Sequence, residues 1–231
     1  MKALILAAGL GSRLGDLSKS TPKILQKING TSILEINLRK LSKIGVKQFF
    51  VNTHYLSELV EEEILKLREI HDITILYEPR LLGTLGTLKK LSLCENIQDL
   101  LVMHGDNYFE DSLTDFNNAI HNLKHTDYGL IATFRTNKPE ECGILETDTL
   151  GNWVNFHEKS QNNYGNLANA AIYYFKYETI HLLKNMKLTG TDISRDLLPR
   201  LVGKLKIVEL EGQFIDIGTP ENLEKANNLI K

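Results

Sequence analysis

Short apolar runs alternate with amphipathic stretches along the first hundred residues. Ala3 to Ala7 is an apolar run of the kind expected for a parallel strand covered on both faces. Residues 32 to 44 place Leu34, Leu38 and Leu41 on one helical face, with Arg39 and Lys40 elsewhere and Gly45 as the stop. Gln48 to Asn52 reads as a second strand. Residues 57 to 69 read as a second helix, with Val60, Ile64 and Leu67 inward and Glu61, Glu62 and Glu63 on a solvated face. Ile73 to Tyr77 is a third strand and Leu100 to His104 a fourth, stopping at Gly105-Asp106. Strand and helix at this spacing predict a parallel sheet with right-handed crossovers. Gly9 to Lys23 reads as loop, Asn29-Gly30 as a tight turn, and Leu82-Gly83-Thr84-Leu85-Gly86-Thr87 as a glycine-bearing loop opening a helix that runs to about Leu93.

After about residue 127 the texture changes. Tyr128 to Arg135, Gly143 to Glu146, Trp153 to Glu158 and Ala168 to Phe175 are strand-like, with Asp148-Thr149-Leu150-Gly151 as a hairpin turn. Helices follow near 178 to 186 and 192 to 201, then strands near 205 to 210 and 213 to 217. Thr219 caps a last helix with Pro220 at its first position. No Ser- or Pro-rich linker, repeat or low-complexity tract interrupts the 231 residues. The reading is one α/β domain over 1–231, with a first part to about 127 and a second part over 128–231 that adds mixed strands.

Composition narrows the class. Lys plus Arg is 27 and Asp plus Glu is 29, a net charge of −2, which argues against binding nucleic acid through bulk positive charge. With 42% hydrophobic and 24% charged residues the chain is a globule, not a disordered segment. No apolar run approaches the roughly 20 residues needed to span a bilayer. The apolar N-terminus is short and enters a glycine loop, so it reads as a strand and not a signal peptide, and the expected address is the cytoplasm. Cys94 and Cys142 make neither a disulfide framework nor a cysteine metal site. Cys142 and Trp153 read as packing residues. His121 and His125 are one helical turn apart on a helix surface, but Asn122 between them breaks any zinc-protease pattern.

Three clusters could carry chemistry. The first is Leu6-Ala7-Ala8-Gly9-Leu10-Gly11-Ser12-Arg13-Leu14, then Thr21-Pro22-Lys23. A loop leaving the carboxyl end of the first strand of an open parallel sheet lies where ligands bind. Glycines let the backbone aim N–H groups at a phosphate, and Arg13 and Lys23 add positive charge, together a triphosphate cradle. It is not a dinucleotide fingerprint, because Leu14 stands where the third glycine belongs and Val51-Asn52 where an acidic residue is needed. Nor does Gly-Lys-Ser/Thr follow Gly9, so it is not a nucleoside-triphosphatase loop. The second cluster pairs Gly105-Asp106-Asn107 with Asp216 of Phe214-Ile215-Asp216-Ile217-Gly218. Asp106 suits either a Mg²⁺ ligand or an ordinary turn aspartate. Asp216, between isoleucines, calls for a partner, and a metal shared with Asp106 would be one. The third is Phe156-His157-Glu158-Lys159, followed by the small-residue strand Asn166-Leu167-Ala168-Asn169-Ala170-Ala171-Ile172-Tyr173, where a solvated charge pair competes with close approach of a ligand to the backbone.

Taken in order, these pieces, with Leu82-Gly83-Thr84, Cys142-Gly143-Ile144 and Asp216-Ile217-Gly218-Thr219-Pro220, resemble the sugar-1-phosphate nucleotidyltransferases, or nucleoside-diphosphate-sugar pyrophosphorylases. The resemblance spans nearly the whole chain, and its most specific part is the first loop with Pro22-Lys23. It implies a doubly wound, Rossmann-like α/β fold with a mostly parallel central sheet. It also implies an enzyme that joins a nucleoside triphosphate and a sugar 1-phosphate into an NDP-sugar for cell-surface polysaccharide synthesis, releasing pyrophosphate. By that resemblance Arg13, Lys23 and Asp106 are catalytic. Leu6, Ala8, Gly9, Gly11, Ser12, Gly83 and Thr84 bind nucleotide. Gly143, Glu158, Lys159 and Asn169 face the sugar phosphate, and Asp106 and Asp216 hold Mg²⁺. Within the family Leu82-Gly83-Thr84-Leu85-Gly86-Thr87, Asn52-Thr53-His54-Tyr55 and Asn166-Leu167-Ala168-Asn169-Ala170 look most like short bacterial mannose- or heptose-1-phosphate guanylyltransferases, which favours GTP. Short N-acetylmuramate-1-phosphate uridylyltransferases come next, and uridylyl or cytidylyl transfer to another sugar or small phosphate is the alternative. A non-catalytic nucleotide-binding subunit on the same fold is the alternative of another class, and a dehydrogenase is a third. The partners expected are the two substrates, with no nucleic acid and no membrane; assembly of copies of the chain is left open. Two positions depart from the family pattern: Ala8 and Ala170-Ala171 stand where many members have glycine.

Overall fold

A computed structural model describes residues 1–187 and 190–229. In chain order the strands are β1 (Lys2–Leu6), β2 (Lys27–Ile28), β3 (Thr31–Ser32), β4 (Gln48–Thr53), β5 (Asp72–Tyr77), β6 (Leu100–His104), β7 (Asn107–Phe109), β8 (Gly129–Arg135), β9 (Gly143–Thr147), β10 (Trp153–Glu158), β11 (Leu167–Phe175), β12 (Leu205–Glu209) and β13 (Phe214–Asp216). The helices are α1 (Leu17–Ser20), α2 (Ile33–Lys43), α3 (Ser57–Leu67), α4 (Gly83–Cys94), α5 (Thr114–His121), α6 (Tyr177–Asn185), α7 (Leu198–Leu201) and α8 (Pro220–Leu229). They fall into two interleaved units. The first comprises residues 1–81, 103–113 and 212–231, and the second 82–102 and 114–211.

In the first unit β5, β4 and β1 run parallel, with Leu4 opposite Phe50 and Phe50 opposite Thr74. The end of β6 follows β1 in the order. Ala3, Leu4, Ile5, Phe49, Phe50 and Val51 are buried, as an internal parallel sheet requires. Leu34, Leu38 and Leu41 of α2 and Val60, Ile64 and Leu67 of α3 are buried too, on the faces their spacing predicts. The start of α2 is fixed by Ser32, whose side chain accepts a hydrogen bond from the Glu35 N–H at 3.3 Å. Thr219 does the same for α8, accepting from the Asn222 N–H at 3.2 Å, with Pro220 at the first helical position. Asn29-Gly30 turns the small β2–β3 hairpin.

In the second unit β11 pairs antiparallel with both β9 and β8, β10 pairs antiparallel with β9, and β12 runs parallel to β8. These are the mixed strands expected of the C-terminal half. α4 and α6 bury Leu85, Leu88, Leu91, Ile180 and Leu183 within this unit. Trp153 is buried, as expected of a packing residue.

Three details differ from expectation. The stretch after Gly9 is not plain loop: single turns of 3₁₀ helix form at Ser12–Leu14 and Lys23–Leu25, and α1 lies between them. α5 stops at His121, so His125 lies in the following turn and does not share a helix face with it. Residues 192 to 201 are not one α-helix: Ile193–Leu197 is wound as a π-helix turn before α7, with Pro199 near the junction. Both cysteines are free thiols. Among the described residues no helix is long and apolar enough to cross a membrane.

Candidate active site

The first unit gathers four charged side chains from four separate stretches of sequence. The Lys23 ammonium lies 2.5 Å from Asp106 Oδ2 and 2.7 Å from Asp216 Oδ1. Arg13 Nη2 lies 3.0 Å from Asp216 Oδ2. The Lys23 side chain is only 8% exposed, whereas Asp106 and Asp216 are 34% and 40% exposed and Arg13 65%. One buried cation thus anchors two carboxylates that remain open to solvent on one side. The two carboxylates, far apart in sequence, lie within the sum of the two Lys23 distances of each other.

The backbone explains why they meet. β13 pairs antiparallel with β7, placing Asp216 opposite Asn107. The Ile217 N–H donates to the Asp106 carbonyl at 3.2 Å. The turn bearing Asp106 is held from beneath by Asn37 of α2, whose buried amide donates to the carbonyls of Gly105 at 3.0 Å and Asn107 at 3.3 Å. Gly105 is closely packed, and a Cβ there would come within 2.6 Å of the Ile24 side chain and 2.8 Å of that of Ile5, so both would have to shift. Gly218 runs close beside the charges, where a Cβ would lie 2.8 Å from Arg13 Nη2 and 2.9 Å from Asp216 Oδ1. Gly11 takes a left-handed φ of 65° and starts the turn that presents Arg13, and the Leu14 N–H closes it onto the Gly11 carbonyl at 2.9 Å. Ser12 and Gly9 are exposed, while Leu6 and Ala8 are buried at the root of the loop.

Burial alone would raise the Asp216 carboxyl. The Lys23 charge and hydrogen bond, then those of Arg13, outweigh it and hold the carboxyl below the usual carboxylate range. Asp216 is therefore an anion, which suits a hard cation. Among the described residues no three His, Cys, Asp or Glu side chains converge as a closed metal cage. Two solvent-open carboxylates fit Mg²⁺ instead, which uses one or two protein carboxylates and fills its shell with phosphate oxygens and water.

The second unit holds the remaining candidates: Gly83, Thr84, Gly143, Glu158, Lys159 and Asn169. Gly83 has φ of 73°, and a Cβ would strike the Thr191 carbonyl. Around it the Leu85 N–H donates to that carbonyl at 2.9 Å, and the Ile193 N–H donates to Thr84 Oγ1 at 2.9 Å. The start of α4 is thus tied to Thr191-Asp192-Ile193, a segment that the sequence marked only as the start of a helix near 192.

Glu158 and Gly143 are paired across β10 and β9, and a Cβ on Gly143 would meet Glu158 Oε2 at 2.7 Å and the Phe156 ring at 2.6 Å. Burial raises the Glu158 carboxyl, and the Asp192 charge adds to that against Lys159 and Arg195. Lys159 leaves β10 with φ of 50°, exposed to solvent. Asn169 sits where β11 bulges between Asn169 and Tyr173. Its Oδ1 accepts from the Ala171 N–H at 2.9 Å, and its Nδ2 donates to the Tyr173 hydroxyl at 2.8 Å and toward Ser194 Oγ at 3.4 Å. Its amide therefore shapes the bulge. Tyr173 closes the small-residue motif and meets Asn169 across the bulge, whereas Ser194, in the π-helix turn, joins this group unannounced by any motif. Burial pushes the Cys142 thiol up, which fits packing and not nucleophilic attack.

Residues 2–231 match the family model described as nucleotidyl transferase, and the chain belongs to that family. It is 30% identical over 96% of its length to mannose-1-phosphate guanyltransferase beta-A of Xenopus laevis, and 30% identical over 100% of its length to the bifunctional protein GlmU of Methanocaldococcus jannaschii. It spans 62% of the former and 54% of the latter. The structure of HddC from Yersinia pseudotuberculosis complexed with GMP-PN superposes with a TM-score of 0.80 at 24% identity, covering 100% of this chain and 99% of that one. A sucrose-bound structure from Bacillus anthracis superposes with a TM-score of 0.87 at 21% identity, covering 99% and 94%. The fold expected from the motifs, a mostly parallel α/β sheet extended by antiparallel strands, is the fold of these structures.

Proposed function

We propose that this chain transfers a nucleotidyl group from a nucleoside triphosphate, with GTP favoured, to a sugar 1-phosphate of mannose or heptose type. The carrying observation is the convergence of Arg13, Lys23, Asp106 and Asp216. Family membership supports the reaction class, and the names of the guanyltransferase relative and of the GMP-PN complex support the choice of base.

In the reaction an oxygen of the sugar phosphate forms a bond to the α-phosphorus, and the bond from that phosphorus to the oxygen bridging the β-phosphorus breaks. The electron pair leaves with pyrophosphate. The attacking oxygen is already ionised at neutral pH, so no side chain need act as base. What remains is to bring two polyanions together and to stabilise charge on the phosphorus and on the leaving group. The exposed, chain-tethered Arg13 and the buried Lys23 supply fixed positive charge. Gly9, Gly11 and Ser12 offer backbone N–H groups to the phosphates, with Leu6 and Ala8 beneath them. Asp106 and Asp216 would hold Mg²⁺, and what that ion supplies when bound is charge neutralisation at the phosphates. Gly83 and Thr84 are assigned to the nucleoside, Gly143, Glu158 and Asn169 to the sugar, and Lys159 to its phosphate.

The test is a grid of four nucleoside triphosphates against a panel of sugar 1-phosphates, reading pyrophosphate release with and without Mg²⁺. The expected result is release with GTP and a mannose- or heptose-type acceptor. Greater turnover with UTP or CTP across the panel would move the base assignment. No release from folded protein with any pair, alongside measurable triphosphate binding, would leave the non-catalytic subunit.

A further inference from the structure

We propose that Asn52 is a positioning residue for the phosphate-binding loop, acting through a buried hydrogen-bond chain that includes Glu78. The inference rests on the assignment of the Gly9–Gly11 loop to the triphosphate. Asn52 lies near the carboxyl end of β4 and is 4% exposed. Its Oδ1 accepts from the Ala7 N–H at 2.6 Å, and its Nδ2 donates to Glu78 Oε1 at 3.0 Å. Ala7 is the first residue beyond β1, where the loop begins. On its other side the loop root is held by the Gly105 N–H, which donates to the Leu6 carbonyl at 2.9 Å. The loop therefore leaves β1 between two clamps, one on Leu6 and one on Ala7.

Glu78 is itself fixed. It is 2% exposed, its N–H donates to the Thr53 carbonyl at 2.9 Å, and its carbonyl is 2.7 Å from His54 Nδ1. The chain thus links the ends of β5, β4 and β1 at the edge where the loop emerges. An asparagine is suited to the middle position because a single planar amide offers an acceptor to one neighbour and a donor to the other. Aspartate could accept from Ala7 but would set a second carboxylate against Glu78. An aliphatic residue would leave the Ala7 N–H without its side-chain acceptor, and buried polar groups left unpaired are disfavoured. In dinucleotide-binding folds this end of the second strand carries a carboxylate that reads a ribose. Here the side chain at that place is turned to the backbone of the loop.

The test uses Asn52→Asp, Glu78→Gln and the double variant of the full chain. In the double variant the link between the two side chains re-forms with its direction reversed. The introduced amide can donate to the introduced carboxylate, which still accepts from the Ala7 N–H. Asn52→Asp alone should raise KM for the triphosphate about tenfold with KM for the sugar phosphate little changed. It should also speed amide hydrogen exchange over residues 7–12. The double variant should recover both readouts to within about twofold of wild type. Folded Asn52→Asp with unchanged exchange in that segment, or a double variant no better than Asn52→Asp, would overturn the proposal. The exchange readout needs no turnover, so inactivity of the wild-type chain in the substrate grid would count against the proposed reaction alone.

Discussion

The charged cluster of the first unit and the β9–β11 region of the second solve different problems with different means. Around Lys23 the structure concentrates full charges on side chains whose exposure ranges from 8% to 65%, joined by ion pairs of 2.5 to 3.0 Å. Around Asn169 it uses neutral hydrogen bonds, a bulge, and left-handed backbone at Lys159 and Ala171, with φ of 50° and 52°. The first arrangement suits polyanions and developing charge, because electrostatic stabilisation at a partly dehydrated site is strong. The second suits the hydroxylated, neutral part of a ligand, for which shape and hydrogen-bond direction discriminate. Perturbing the first should therefore damage turnover, and perturbing the second should damage recognition or the fold.

The largest effect is expected at the paired carboxylates. Asp106→Asn and Asp216→Asn should each remove most Mg²⁺-dependent turnover, about 10³-fold, and the double variant should be little worse than either single one because the two act as a unit. Fully multiplicative losses in steady-state kinetics would separate them into independent roles. Next comes Arg13→Ala, expected to lower kcat by about 10²-fold, on the scale of losing one preorganised donor. Its 65% exposure means that the melting temperature should hardly move. A folded variant with near-normal kcat would remove Arg13 from the chemistry.

In the second unit the expected losses are smaller and of another kind. Gly143→Ala forces a Cβ against Phe156 and Glu158 Oε2, so KM for the sugar phosphate should rise about tenfold while KM for the triphosphate stays put. An equal rise in both would show that β9 has no private role in reading the sugar. Ala171 gives the smallest and most purely structural contrast. Relief of the left-handed strain, about 1–2 kcal/mol, is offset in Ala171→Gly by lost burial of a methyl group and added chain entropy, so stability should stay within about 1 kcal/mol. Ala171→Val keeps the strain and adds bulk at a buried, positive-φ site, and should cost about 2 kcal/mol or more in chemical denaturation.

The same contrast decides what was legible in the chain. Arg13, Lys23, Asp106 and Asp216 could be singled out because charges beside glycines, or directly after apolar strands, are conspicuous. That Asp106 and Asp216 share a site was expected, but the Lys23 bridge and the β7–β13 pairing that bring them together could not be read, because pairing across a hundred residues leaves no local mark. The parallel strands and α2, α3 and α8 were readable from periodicity and caps. The turns after Gly9 were not, because single helical turns carry too few residues to show a period. Asn37, Ser194 and Thr191 were missed for the opposite reason: each is an ordinary residue in an ordinary segment, within α2, in the π-helix turn, or just before it. Asn52 was visible as an absence of charge and as the start of Asn52-Thr53-His54-Tyr55, and its partners became apparent only in three dimensions.

The central claim is that the sugar phosphate attacks the α-phosphorus and that pyrophosphate comes only from the triphosphate. It is tested most directly with a sugar 1-phosphate whose phosphate oxygens carry ¹⁸O, incubated with GTP, Mg²⁺ and the protein, and analysed by mass spectrometry. The predicted products are a sugar nucleotide that retains all of the label and pyrophosphate that carries none. Label in the pyrophosphate, or pyrophosphate formed without any sugar nucleotide, would contradict the claim.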